Sequence, residues 1–519
     1  MKILIFYVLV LTLLYSVRNS HGARILASIF SPSYSHQVTF RPLWKELAKR
    51  GHEIILLTTD PMEDPELTNV KEIDLKESYA VMDQYGASEL VSNQQGKSYR
   101  ELFSAYIFAL SRTADWQLSH PEVQQLIRNT SEHFDLLMVE MMFPTHLAFV
   151  DRFSVPFIGL CSLDAVPRVH KSIGNFMHPI IYPDYLFPFT KNLTFVQRVI
   201  SFIVTAILDI HSYFMYSTED ETVTKHFGSN IRPLKEIEKD TSMLFINVNP
   251  IFHQLRPMGP NTIQIGGGTH LRQAQPLPQD IEEFLDTAKT GVIYFSLGTN
   301  VKASLISDEL RNVILNTFAN LPYKILWKFE QDLPGTPDNV KIMKWVPQQD
   351  LLQHPNVVLF ITQCGLQSME ESIFNHVPMV GMPFYGDQSR NAKIMEENGL
   401  GLVVDRKNLI KDDFYRAIME VINKPIYREK VEEIAILTND VEMTGLEKAV
   451  WWTEYTIRTR GAKHLRNPMV DLPFYKVYLL DVLGFLLSIV LISLYVVRKI
   501  VKILLKVLCS KTHEKKKIE

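Results

Sequence analysis

Two distant stretches with the same grammar restrict the fold before anything else does. The first, ARILASIFSPSYSHQVTFRPLWKELAKRGHEIILLTTD from Ala23 to Asp60, reads as strand, loop, helix and strand. Ile25 to Phe30 is an apolar run, Phe40, Leu43, Trp44 and Leu47 recur at helical spacing, Gly51 caps, and Ile54 to Leu57 is apolar again. Strands that are apolar on both faces need cover on both faces, which is the condition of a parallel sheet wound with helices. The second stretch begins with GVIYFSLGT (Gly291 to Thr299), followed by the helix ELRNVILNTFANL and the strand YKILWKFE. VKIMKWV, VVLFITQ and VPMVGMPF continue the series. The expected fold class is therefore α/β, with two doubly wound Rossmann-like domains. Ile265-Gly266-Gly267-Gly268 and the Pro276 to Pro278 stretch make a linker, which gives an N-terminal domain over 23–264, a linker over 265–280 and a C-terminal domain over 281–465. Ligands of such sheets bind beyond the strand carboxyl ends, so two facing sheets enclose a cleft.

The two chain ends carry different signals. Residues 1–22 have one early lysine, an apolar core from Ile3 to Leu14, and small residues at Ser20 and Gly22, the build of a secretory signal peptide. VYLLDVLGFLLSIVLISLYVV, Val477 to Val497, holds a single acid, Asp481, and is long enough to cross a hydrocarbon core of about 30 Å. Arg498, Lys499, Lys502, Lys506, Lys511 and Lys515 to Lys517 follow it, which makes 498–519 a cytosolic tail and the chain a single-pass type I membrane protein. Lys516 and Lys517 stand fourth and third from the carboxyl end, like the dilysine retrieval signal of the endoplasmic reticulum, with the catalytic domains then lumenal. Asn129-Thr130-Ser131 and Asn192-Leu193-Thr194 are glycosylation sequons that fit this placement. Cys161, Cys364 and Cys509 are too few for a disulfide framework and are expected as free thiols. A formal charge of −3 gives no reason to expect nucleic acid. The apolar stretch Arg198 to Tyr216, broken by Asp209 and His211, is expected as a core or acceptor-pocket helix ahead of a shallow membrane contact.

The chemistry concentrates in WVPQQDLLQHPNVVLFITQCGLQSMEESIFNHVPMVGMPFYGDQ, Trp345 to Gln388. Within it, an apolar strand turns at Cys364-Gly365 into an amphipathic helix, and a helix start offers unpaired N–H donors and partial positive charge to an anion. Trp345 offers a flat face for a base, Glu371 can accept two ribose hydroxyl protons, and Asp387 and Gln388 can grip a polyhydroxylated group.

The tryptophan, the Pro-Gln, the Thr-Gln-x-Gly turn, the glutamate, the Val-Pro strand and the terminal Asp-Gln resemble the signature of the membrane-bound UDP-glycosyltransferases, including their insect-like members. That resemblance implies a GT-B fold with a C-terminal transmembrane helix, and a metal-independent, inverting enzyme that needs no cofactor beyond its UDP-sugar co-substrate. It implies that Trp345 stacks on uracil, Gln348 contacts the nucleoside and Glu371 holds the ribose. Ser296, Thr299, Gln363 and the Gly365 helix start would hold the diphosphate, and Asp387 and Gln388 the sugar. His36, between the first strand and its helix, corresponds to the family's catalytic base, and Glu140, at the end of LLMVE, to its orienting acid. His52 reads as structural. Many members have His-Gly-Gly where this chain has Gln363-Cys364-Gly365, which removes a cation from the leaving group's side. Glucose is favoured over glucuronate on the likeness to insect members, and the acceptor is a small lipophile. A catalytically silent UDP-sugar or lipophile-binding relative is the alternative, and a homo-oligomer stays open. A nicotinamide dehydrogenase would need a GxGxxG after an opening strand, and neither strand has one.

Overall fold

The computed structural model describes residues 22–92, 99–253 and 255–515. The signal segment up to residue 21 and the dilysine pair lie outside the described residues. Two parallel sheets form. The first is built from β1 (Arg24–Ser28), β2 (Glu53–Thr58), β3 (Val70–Asp74), β4 (Leu136–Glu140), β5 (Phe157–Cys161), β6 (Met243–Ile246) and β7 (Thr262–Gln264). Its strand order is β3-β2-β1-β4-β5-β6-β7. The second comprises β8 (Val292–Ser296), β9 (Lys324–Lys328), β10 (Val340–Met343), β11 (Val357–Thr362), β12 (Met379–Gly381) and β13 (Gly401–Val403), ordered β10-β9-β8-β11-β12-β13. Each sheet reverses direction once, between β1 and β4 and between β8 and β11. The carboxyl ends of those four strands are the switch points where such sheets bind ligands.

The helices that shape these ends are α1 (Tyr34–Val38), α2 (Arg41–Lys49), α3 (Tyr99–Ser119), α4 (Phe195–Phe227), α5 (Asp308–Phe318), α6 (Gln348–Leu352), α7 (Leu366–Phe374), α8 (Gln388–Glu397) and α9 (Gly445–Arg458). The expected helix is found as α2, and the segment ahead of it, expected as loop, holds the further short helix α1. His36 rides on the short α1, and α2 buries Leu43, Trp44, Leu47 and Ala48 against the sheet, with Pro42 opening its first turn. Each sheet is covered on both faces, as its continuous apolar strands require: Ile25, Ala27, Leu56 and Leu136 pack on one side of the first, Leu26, Leu57, Leu137 and Val139 on the other.

One boundary needs correction. Residues 445–458 were expected within the C-terminal domain, yet α9 packs Ala449 and Val450 into the core under the first sheet. Its Glu454 lies 3.4 Å from Arg50. An apolar helix face does not announce which sheet it covers. The chain therefore crosses between the domains twice, near Ile265 and again before α9. The crossings touch: a β-carbon on Gly445 would stand 2.0 Å from the Ile265 carbonyl oxygen.

The chain forms two compact units, one ending at Arg466 and one starting at Asn467. The second holds α10 (Leu480–Lys515), whose segment Leu480–Val507 is apolar and long enough to cross a membrane. The helix begins at Leu480 rather than Val477, because Leu479 takes a left-handed φ of 54° and breaks the backbone ahead of it. Cys161 and Cys364 are buried free thiols, as expected.

Two histidines, the buried His146 and the half-buried His253, set an acid limit on stability. Burial pulls His146 down to about 4, against the weak pull of Glu140, and pulls His253 down to about 4 despite its bond with Asn249. Because the unfolded chain takes up these protons first, stability is present above the ordinary histidine value and falls as pH drops towards 4. Between pH 7 and pH 5 each site costs about 2 kcal/mol. The unfolding midpoint of detergent-solubilised protein should drop over that interval, and a His146→Phe variant should show a smaller drop.

Candidate active site

The switch points of both sheets open into one cleft of about 890 Å³, lined by His36, Trp345, Gln363, Glu371, Asp387 and Gln388 among others. On the first sheet, β1 ends and the chain turns through Ser31 and Ser33 into α1, which presents His36. Next to it, β4 ends on Glu140, whose side chain has no exposed surface. His36 Nδ1 and Glu140 Oε1 are 2.5 Å apart, and the Ser31 backbone N–H donates to Glu140 Oε2 at 2.7 Å. Burial alone would push Glu140 up, but the imidazole and the bonds from His36 and Ser31 outweigh it and hold the carboxyl below its usual range. With Nδ1 engaged, Nε2 is the ring nitrogen left for a ligand. His52 sits at the other end of its strand and accepts from the Ala23 N–H at 3.0 Å, a structural role.

The second sheet supplies the remaining polar groups. At the end of β11, Thr362 Oγ1 donates to Gln363 Oε1 at 3.0 Å, and Cys364 takes φ 65° before Gly365 caps α7. A left-handed non-glycine residue is strained, and this one is fixed by burial and by Thr362 Oγ1, which accepts its N–H at 3.2 Å. Across from it, Gly298 follows β8 with φ +75° and faces the Gln363 amide. Ser296 Oγ accepts the Gly298 N–H at 3.2 Å, and Thr299 lines the cleft.

Glu371, on α7, is braced from three sides. Gln348 Nε2 donates to its Oε2 at 2.6 Å, while Gln349 and His270 reach Oε1 at 3.3 and 3.2 Å. Gln348 also donates to Ser368 Oγ and accepts from the Tyr294 hydroxyl, so its amide is committed to orienting Glu371. Trp345 keeps 54% of its surface exposed, meets Tyr34 of the first domain edge-on at 5.6 Å, and has Lys328 Nζ 5.9 Å from its ring. At the start of α8, Asp387 accepts from Asn391 at 2.6 Å, and Gln388 Oε1 takes the N–H groups of Phe384 and Tyr385. Burial pushes Asp387 above the usual carboxylate range, against the bond from Asn391 and the charge of His36 across the cleft.

Sequence reasoning missed four contributors. Ser31 acts through its backbone, which no motif marks. Asn300 bridges the domains by donating to Ser33 Oγ at 2.8 Å. Lys328 donates to the Gly298 carbonyl at 2.8 Å, and burial pulls its ammonium below the ordinary value. His270 is fully buried between Glu370 and Glu371; burial pulls it down, but the bond and charge of Glu371 with Glu370 raise it overall. Its place in the glycine-rich linker was the one available signal. Among the described residues, no group of three His, Cys, Asp or Glu side chains could hold a metal ion.

Residues 25–517 match the model of the family described as "UDP-glucoronosyl and UDP-glucosyl transferase". The chain belongs to this family. It is 33% identical over 513 residues to UDP-glycosyltransferase UGT5 of Dactylopius coccus, covering 97% of this chain and 96% of the relative. It is 29% identical over 518 residues to human UDP-glucuronosyltransferase 2B17, covering 94% of both. In fold it is similar to the crystal structure of the glycotransferase of kitacinnamycin, with a TM-score of 0.56 and 16% identity over 85% of this chain and 99% of that one. The fold is GT-B, and the chain is a glycosyltransferase of the kind that moves a sugar from a UDP-sugar to an acceptor.

The tight approach of Gly298 to Gln363 gives a direct test. A β-carbon at position 298 would lie 2.0 Å from Gln363 Nε2, on a backbone that L side chains avoid. Gly298→Ala should destabilise the protein by about 1–3 kcal/mol and displace Gln363. Thermal unfolding with and without UDP reads both effects.

Proposed function

We propose that this glycosyltransferase inverts the anomeric centre in a single displacement, with His36 as general base and Glu140 as its positioning acid. The observation that carries the reading is the 2.5 Å contact between His36 and Glu140 at one switch point, in the same cleft as Asp387 and Gln388 at the other. Glu140 holds the Nδ1–H, so the Nε2 lone pair accepts the acceptor's hydroxyl proton. As that proton leaves, the acceptor oxygen forms a bond to C1 of the sugar. The bond from C1 to the phosphate oxygen breaks, and its electron pair departs with UDP. Ser296, Thr299, Gln363 and the first-turn N–H groups of α7 hold the diphosphate, Trp345 stacks on uracil, and Glu371 accepts the ribose hydroxyls. Nothing in this sequence of steps calls on a bound metal.

Glucose is the favoured sugar. The groups touching Asp387 and Gln388 are an amide and backbone N–H donors. Neutral donors beside a buried carboxylate suit hydroxyls, whereas a hexuronate would ask for a cation. On the first domain's side the cleft is lined by Phe30, Tyr106, Leu110, Phe143 and Met215, which suits a small lipophilic acceptor. The apolar α10 with its basic flank supports a membrane anchor with both domains on the lumenal side of the endoplasmic reticulum, where Asn129 and Asn192 would be glycosylated.

A panel of UDP-sugars with a phenolic acceptor and mass-spectrometric detection should give a glucoside. His36→Ala should lower kcat by about 10²–10⁴-fold, and Glu140→Gln should also lower it while leaving the donor KM near its original value. Glu371→Gln should instead raise the donor KM by about 10-fold or more. A His36→Ala enzyme that releases UDP at the original rate would overturn the mechanism, and absence of any UDP release would favour the silent alternative.

A further inference from the structure

The helix α4, expected as a core or acceptor-pocket helix, is not buried along its length as a core helix would be. One edge lines the cleft through Leu208, His211, Ser212 and Met215, and its C-terminal half buries Tyr216, Glu219 and Val223. The opposite side of its first five turns is bare. Phe195 is 71% exposed, Phe202 63%, Ile210 60% and Tyr213 64%, with Val199, Ile203, Ile207 and Phe214 exposed between them. At about 100° per residue these side chains fill an arc of about 140° along some 28 Å of helix. No charged residue falls within that arc. The charges sit at its rim: Asp209 is paired with Lys171 at 2.5 Å, the Arg198 guanidinium lies 5.8 Å from the Phe195 ring, and Lys235 lies 5.7 Å from the Tyr213 ring.

We propose that this face of α4 rests in the headgroup and upper acyl layer of a lipid bilayer, so that the acceptor side of the cleft adjoins the lipid phase. A cation beside an exposed aromatic ring at the border of an uncharged arc is the composition of a helix that lies in a membrane interface. The helix lies on the membrane rather than crossing it. Crossing would strip Glu219 of the hydroxyl bonds it accepts from Ser111 and Thr145, and Ser201 of its bond to the Pro179 carbonyl. The choice of a bilayer as occupant rests on the proposed anchoring role of α10, which begins shortly after the catalytic unit ends. A tether that short keeps a lipid surface at high effective concentration for as long as the chain exists. One helix then joins the two phases: lipid on one side, and on the other the cleft that would take a lipophilic acceptor.

The test uses the full chain in lipid nanodiscs, with Cys509→Ser and a single new cysteine at Ile207 or, as a control on α5, at Asn316. Cys161 and Cys364 are buried and stay unlabelled. An environment-sensitive fluorophore at 207 should be quenched about threefold more by brominated lipid than the same label at 316, and correspondingly less by aqueous iodide. Equal iodide quenching at both positions overturns the proposal. So does a label at 207 shielded from both quenchers that becomes exposed at one chain per disc, since a second copy would then be the occupant. A chain that leaves the discs during gel filtration overturns the anchor and this inference together, whereas a retained chain with an iodide-exposed label overturns only the inference. In the same discs, replacing Phe202, Ile203 and Ile207 by serine should raise KM about tenfold for an acceptor that partitions into lipid and leave it within about twofold for a water-soluble one. Equal rises for both acceptors would also overturn it.

Discussion

A carboxylate with no exposed surface must be met by donors, and the geometry of the first sheet's side of the cleft follows from how Glu140 is met. Its two oxygens take an imidazole nitrogen and a backbone N–H, at 2.5 and 2.7 Å. Both donors come from the segment between β1 and α2, so the pair forms where β1 and β4 lie side by side. That adjacency is the point at which the first sheet reverses its winding. The position of His36 is thus a consequence of sheet topology as much as of its own local sequence. Removing either partner would leave an ion or an imidazole in a place built for the pair.

The second half of the cleft is built largely from neutral groups, which under the proposed function hold the diphosphate. The turn after β11 spends backbone strain at Cys364 to aim its amides, and Gly298 gives up a side chain so that the Gln363 amide fits against it. Glu371 is braced by two glutamines and a buried histidine before any ligand arrives. The result is preorganisation: the donors and acceptors are already ordered, and little rotamer freedom remains to be lost on binding.

Much of this could be read from residues alone, for identifiable reasons. Strands of the parallel sheets announce themselves as continuous apolar runs, so β1, β2, β8, β9 and β11 fall where the runs do. The clustering of the Trp345 to Gln388 segment at the cleft was legible because its candidate groups sit at strand ends and helix starts in one continuous stretch. Through-space partners were not. His270 reaches the site from the linker, Asn300 and Tyr34 are neighbours of motif residues that no motif marks, and a backbone donor such as Ser31 carries no residue-type signal. Helical periodicity in α9 or α4 would report only that one face is apolar. Whether that face meets the first sheet, the second, or nothing within the protein is decided by the tertiary fold.

The double crossing between domains has a mechanical corollary. A lone covalent link would let one lobe swivel about it in any direction. Here the strap near Ile265 and the strap entering α9 run in contact, with Gly445 against the Ile265 carbonyl. Paired straps behave like the leaf of a door, resisting twist while permitting swing about the line they share. Jaws mounted this way would part and meet again along one repeatable arc, bringing the groups on the two sides of the cleft back into the same alignment each time.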